Sequence, residues 1–199
     1  MLKKMFYFGA IAMMFTMSAF AQDTMKTDDQ MKSDKKMMMS GKKSPDSKFM
    51  MTLATGGMNE ITLSQTAVSK STNEEVKSFA QKMIDDHTMV GDELKMLAMS
   101  KNVTLPMSAD SKHMAMNTKL QGMSGSQFDM EYLKAMVKDH EATVALLQKE
   151  SSGGKDAEAK AFAAKTLPAV QGHLEMARTM MTGMSGKKDM KMMEKPMTK

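Results

Sequence analysis

His87 and His140 occupy matching places in two copies of one short pattern. Phe79–His87 reads F-A-Q-K-M-I-D-D-H, and Tyr132–His140, 53 positions later, reads Y-L-K-A-M-V-K-D-H. The pairs Phe79/Tyr132, Met83/Met136, Ile84/Val137, Asp86/Asp139 and His87/His140 keep their spacing. In each copy the His follows the Met by four residues, so both side chains share one helix face. That face is otherwise apolar, and it also holds Glu60 and His173 on two further segments of helical periodicity. Neutral imidazole is a ligand for Zn, Cu, Fe and Ni, so three imidazoles and a carboxylate at one level form a metal-ligand set. Asp86 and Asp139 are placed to orient a neighbouring imidazole or to join as ligands. Met83 with His87, and Met136 with His140, pair a thioether with an imidazole, which suits Cu(I) or a Met/His haem. A plainer reading competes with these. Met commonly fills gaps in cores, and a buried His is satisfied by a carboxylate across the interface.

Four long helices are needed to bring these residues together. Helix A is expected over about 47–70, with Leu53, Glu60, Ser64 and Ala67 along its stripe. Helix B opens on Asn73 as N-cap, with Glu74 and Glu75 in the positive first turn. Its stripe is Val76, Ala80, Met83, His87, Val90, Leu94 and Leu97, in steps of four and three. Pro106 ends it. The connection 102–125 has room for a short helix capped by Ser108 and carrying His113. Helix C starts near 126 with Ser126 and Asp129 as a capping box, and Ser151-Ser152-Gly153-Gly154 stops it. Helix D runs over about 156–181, kinked or locally broken at Pro168. Connections that run short, long, short imply a bundle with one crossover, which is the ferritin-like connectivity. The expected fold class is therefore all-α: a ferritin-like four-helix bundle over 46–182 with a long crossover between B and C. Glu60, His87, His140 and His173 fall near the helix midpoints, where they meet at one height whichever way each helix points. His173 lies one position before the best stripe residue, Leu174.

Several chemistries are disfavoured. Di-iron carboxylate bundles use two Glu-x-x-His motifs. Here the residue three before each His is Ile84, Val137 and Val170. No Ser/His/Asp nucleophile signature and no phosphate loop stands out, and Gly56-Gly57 reads as a close packing point within a helix.

Composition sets the surroundings. The 199 residues include 31 Met and no Cys or Trp. Lys3 and Lys4, an apolar run from Met5 to Ser18, and Ala19-Phe20-Ala21 form a secretory signal peptide over 1–21. The apolar run is shorter than the ~20 residues a span needs, so the mature chain is expected to be exported, periplasmic or secreted, with no transmembrane segment. Cleavage lowers the formal charge from +5 to +3, too mild to suggest nucleic acid. Residues 22–45 and 183–199 read as disordered Met/Lys-rich arms holding ten Met and no His. Their Met would bind soft metal weakly or absorb oxidant as sulfoxide, or they reflect only drift in composition on unconstrained tails.

The runs N-E-I-T-L at 59–63, F-A-Q-K-M-I-D-D-H-T at 79–88 and L-P at 105–106 occur in order with S-G-S-Q-F-D-M-E-Y-L-K-A-M-V-K-D-H at 124–140. F-A-A-K-T-L-P at 162–168 and His173-Leu174 complete the series. Together they resemble a bacterial exported domain-of-unknown-function family with a ferritin-like helical bundle, whose members are often labelled as membrane or outer membrane proteins. The resemblance covers about 46–181. It implies a ferritin-like fold and an envelope location, and it supplies no reaction. Its recurring positions fall on Glu60, Asp86, His87, Asp139, His140 and His173; the Met-rich arms lie outside it. The expected function is metal binding at the mid-bundle His/Glu site in envelope stress or metal handling. Copper is ahead of iron because Met is abundant and Glu-x-x-His is missing. The alternatives are a non-catalytic interaction bundle with structural histidines and a metal- or haem-dependent oxidoreductase. The last would need an open coordination position and a substrate pocket.

Overall fold

The structure, a computed structural model, describes residues 44–193. They form five helices, with no strand among the described residues: α1 Pro45–Lys70, α2 Glu74–Ser100, α3 Ser111–Gln121, α4 Gly125–Gly153 and α5 Ala157–Met193. The signal peptide expected over 1–21 and nearly all of the arm expected over 22–45 lie outside the described residues.

Local chemistry sets most of the boundaries. Ser44 caps α1 by accepting from the Ser47 amide at 3.0 Å. Pro45 opens the helix at its first turn, where a missing N–H costs nothing. Asn73 caps α2 as anticipated, accepting from the Glu75 amide at 2.9 Å. This helix stops at Ser100, ahead of Pro106, because Asn102 turns the chain through a left-handed conformation at φ 55°. The cap of α3 is Asp110 rather than Ser108, and its carboxylate accepts from the His113 amide. Ser126 and Asp129 form no capping box, since α4 begins at Gly125 with Ser124 as a cap lacking a side-chain bond. Asp129 is buried and accepts from the Ser71 hydroxyl at 2.5 Å, tying the start of α4 to the end of α1. Asp46 accepts from the Lys155 and Asp156 amides at 2.7 and 3.1 Å, so the start of α1 holds the turn before α5.

Two expectations about α5 change. The helix passes through Pro168 without ending, because Ala163, Val170, Leu174 and Ala177 are buried on both sides of it and packing outweighs the lost hydrogen bond. It also continues beyond 181 to Met193, so eleven residues of the expected disordered tail are helical. Met and Lys are good helix formers, and Met180, Met181 and Met184 pack on the core.

α1 packs on α2, α4 on α5, and cross-contacts join α1 to α4 and α2 to α5, while α3 lies on α1 and touches α4. Two apolar clusters result. One gathers Leu63, Ala67, Phe79, Met83, Tyr132, Met136 and Ala177. The other gathers Leu53, Leu94, Ala98, Leu147, Ala163 and Val170. Each of these side chains contributes stability in proportion to the apolar area it removes from water, about 1.5–3 kcal/mol for a large one. Along every long helix the chain crosses from one cluster to the other, and the residue at the crossing is polar: Glu60, His87, His140 or His173.

Candidate metal centre

The polar layer is buried. Glu60 is 1% exposed, His87 6%, His140 0% and His173 3%. The three imidazoles form a near-equilateral group, with ring centroids 5.5, 5.5 and 5.6 Å apart. One nitrogen of each lies within 4.8 Å of the others. Glu60 closes the set: its Oε2 is 2.9 Å from His87 Nε2 and its Oε1 is 3.4 Å from His140 Nδ1.

The hydrogen bonds fix which nitrogens face inward. His140 Nδ1 donates to the Met136 carbonyl at 2.9 Å, which leaves Nε2 as the lone-pair nitrogen. His173 Nε2 donates to Asp86 Oδ2 at 2.7 Å, which leaves Nδ1. Those two free nitrogens, together with His87 Nε2 and both Glu60 oxygens, are buried and have no hydrogen-bond partner. The short Glu60–His87 approach lacks hydrogen-bond alignment. Buried polar atoms without partners cost about 1–3 kcal/mol each, and a ligand in this layer would offset that cost. An imidazole whose outer N–H is held by a carboxylate or carbonyl, with its other nitrogen free in a buried centre, is the arrangement of metal-ligating His.

The electrostatics couple Glu60 to His87 and set His173 apart. Burial works against charge on Glu60, yet the facing imidazoles, His87 foremost, hold its carboxyl below the usual range. Burial likewise opposes charge on His87, and Glu60 outweighs it, so His87 is raised. His173 is pushed down to about 4 by burial, with the two other imidazoles adding to the effect and Asp86 opposing it. It is therefore neutral at pH 7 and needs to lose no proton to act as a ligand.

The remaining candidate residues divide. Asp86 orients an imidazole, that of His173 on α5 rather than its own neighbour His87. Asp139 does not reach the three imidazoles. Its Oδ2 meets Nε2 of His113 at 3.1 Å, while Nδ1 of His113 bonds Asp110 at 2.9 Å. Asp139 lies on the side of α4 that faces α3, so its role is to dock that short helix. Met83 and Met136 are fully buried in an apolar cluster beside the layer, and Met136 serves the site through its backbone carbonyl. His113, for which the sequence offered no partner, owes its place to α3, and its Asp110 also binds the Asn59 side chain at 2.9 Å.

A cavity of about 590 Å³, unforeseen in the sequence, reaches this layer from one side. It lies between α1, α2 and the segment after α2, and Glu60 and His87 form part of its wall. Gly57 does not mark a close packing point as expected: it lines the cavity, and a Cβ there would meet nothing within 4 Å. At Gly56 a Cβ would make only ordinary contact, 3.8 Å from the Thr143 hydroxyl. No described helix is long and apolar enough to cross a membrane.

Residues 19–180 match the family described as Domain of unknown function (DUF4142), and the chain belongs to that family. The structure is similar to the crystal structure of a DUF305 fragment from Deinococcus radiodurans, with a TM-score of 0.63 and 13% identity, over 70% of this chain and 97% of that one. At that identity the likeness concerns the fold alone. No curated protein matches the chain.

Proposed function

We propose that this chain is a metal-binding protein whose centre is formed by His87, His140, His173 and Glu60, with Asp86 orienting His173. The observation that carries the reading is the convergence of three imidazoles and a carboxylate in a buried layer, where His140 Nε2 and His173 Nδ1 have no hydrogen-bond partner. Three nitrogens and one oxygen suit a first-row divalent ion, and affinity for such a set peaks at copper. Copper is therefore the preferred metal and iron the second. With a divalent ion bound, Glu60 and Asp86 together balance its charge, which suits burial.

The same proposal includes the architecture and the location. Four long helices form a ferritin-like four-helix bundle, with 101–124 as the crossover that carries α3. The residues supporting export are those of the signal peptide at 1–21, and an envelope role in metal handling or stress follows from location and ligand set together. Cleavage predicts a mature chain beginning at Gln22. N-terminal sequencing of protein recovered from the periplasm checks this, and a chain still starting at Met1 would contradict it.

Equilibrium titration of the metal-free chain with Cu(II), Fe(II) and Zn(II) tests the site. One equivalent of Cu(II) binds the wild type, and a His87→Gln/His140→Gln double variant that still shows the helical circular dichroism of the wild type binds none. Equal binding by both proteins would place the metal elsewhere and return the histidines to a purely structural role.

A further inference from the structure

The cavity beside the polar layer has a composition that the metal site does not by itself require. Met58, Met99 and Met107 line it, together with the glycines of two helices, Gly57 and Gly91. Met99 is 68% exposed and Met107 89%, so both stand at the mouth, whereas Met58 is partly buried and close in sequence to Glu60. The large apolar side chains that are exposed among the described residues are all Met: Met89, Met96, Met99, Met107 and Met114. No Leu, Ile or Phe is among them, and of the five, Met99 and Met107 line the cavity. Met89, Met96 and Met99 lie on one side of α2, at helical steps of seven and three that lead toward the mouth. A Cβ at Gly57 or Gly91 would meet nothing within 4 Å. Each glycine weakens its helix by about 1 kcal/mol relative to Ala without making a close contact, and together they keep the cavity wide.

We propose that this cavity is the access port through which a soft monovalent ion, Cu(I), reaches the polar layer. The thioethers of Met99 and Met107 capture the ion at the mouth, and Met58 hands it to His87 and Glu60. Each step exchanges one copper–sulfur bond for another, and the last exchanges it for a nitrogen of His87 and an oxygen of Glu60; copper stays Cu(I) throughout, so the centre would hold Cu(I) delivered this way as well as the divalent ions it binds directly. Soft thioethers favour Cu(I) over Zn(II) and other harder ions, and the aliphatic walls of Leu53, Ile61 and Val90 disfavour strongly hydrated divalent ions. The port thus adds a selection for ion type that the nitrogen-rich centre lacks. The inference rests on the proposed metal centre.

The test follows metal uptake by the full-length metal-free chain, with Cu(I) supplied as its bicinchoninate complex under anaerobic conditions and Zn(II) supplied as the free ion. In a Met99→Leu/Met107→Leu variant, altered only at exposed positions, the rate of Cu(I) uptake falls about tenfold. The Zn(II) rate and the final stoichiometry of both metals stay as in the wild type. Adding Met58→Leu slows Cu(I) further, and Gly91→Leu, which fills the cavity, slows both metals. An unchanged Cu(I) rate in the methionine variants, with uptake still abolished by His87→Gln/His140→Gln, would overturn the port and leave the centre standing. Wild-type uptake no greater than that of the histidine double variant would overturn both.

Discussion

Asp86 and Asp139 stand at matching places in the repeated pattern, each immediately before a site histidine, yet they do different things. Asp86 reaches across to α5 and accepts from His173 at 2.7 Å. Asp139 turns away and accepts from His113 on α3 at 3.1 Å. Substitution separates the two roles. Asp86→Asn removes the carboxylate that fixes the His173 ring, and metal affinity falls about 10–100-fold. Asp139→Asn leaves affinity within a few-fold and instead loosens α3, which hydrogen exchange of 111–121 detects. Equal losses of affinity in both variants would show that the repeat, and not the hydrogen-bond geometry, predicts function. The sequence made the members of the polar layer legible, because a polar residue on an apolar stripe is conspicuous. It did not distinguish the two aspartates, because residues next to a stripe position point to either side of it and only the packing of neighbouring helices decides which.

At the scale of the elements, the turn between α4 and α5 is the most constrained joint. Gly154 follows α4, and a Cβ there would lie 2.7 Å from the Glu150 carbonyl oxygen. Gly154→Ala therefore shifts backbone and costs about 1–3 kcal/mol in chemical denaturation; a neutral effect would mean that the joint is loose. Glu150 itself is buried, and burial first, then the adjacent Asp46, pushes its carboxyl up to about 7. The folded chain thus holds this proton more tightly than the unfolded chain, whose value is near 4.5. Glu150 contributes stability that is full below pH 4.5 and is lost as pH rises through about 7. Glu150→Gln flattens the pH dependence of stability across that window, and a variant retaining the wild-type slope would assign the dependence to other groups. Helix identity was legible throughout, since periodicity and caps such as Asn73 are local. The boundaries that differ, at Ser108, at Ser126 and at the end of α5, concern points where tertiary contacts override local preference: Asp110 is held by Asn59, Asp129 by Ser71, and α5 past 181 follows turns whose Met180, Met181 and Met184 pack on the core.

At the scale of the whole molecule, the polar layer divides the interior into two apolar clusters, and every long helix contributes one polar residue at the division. A chain optimised only for stability would carry Leu or Met at those positions, because replacing a buried polar group by a well-packed apolar one is often neutral or stabilising. The access cavity extends the same logic, since two helix glycines face open space where larger residues would pack. The cavity was not legible in the sequence, because Gly57 and Gly91 lie on different helices and only the folded chain shows what they face. The histidine layer and the cavity beside it are features that packing alone does not require, and the proposed metal binding would account for both. Elemental analysis of the purified protein, beside the His87→Gln/His140→Gln variant prepared in parallel, tests this most directly. The account predicts close to one equivalent of copper or iron in the wild type and none in the variant. A metal-free wild type that takes up no copper or iron when supplied with it, or an equal content in both proteins, would contradict it.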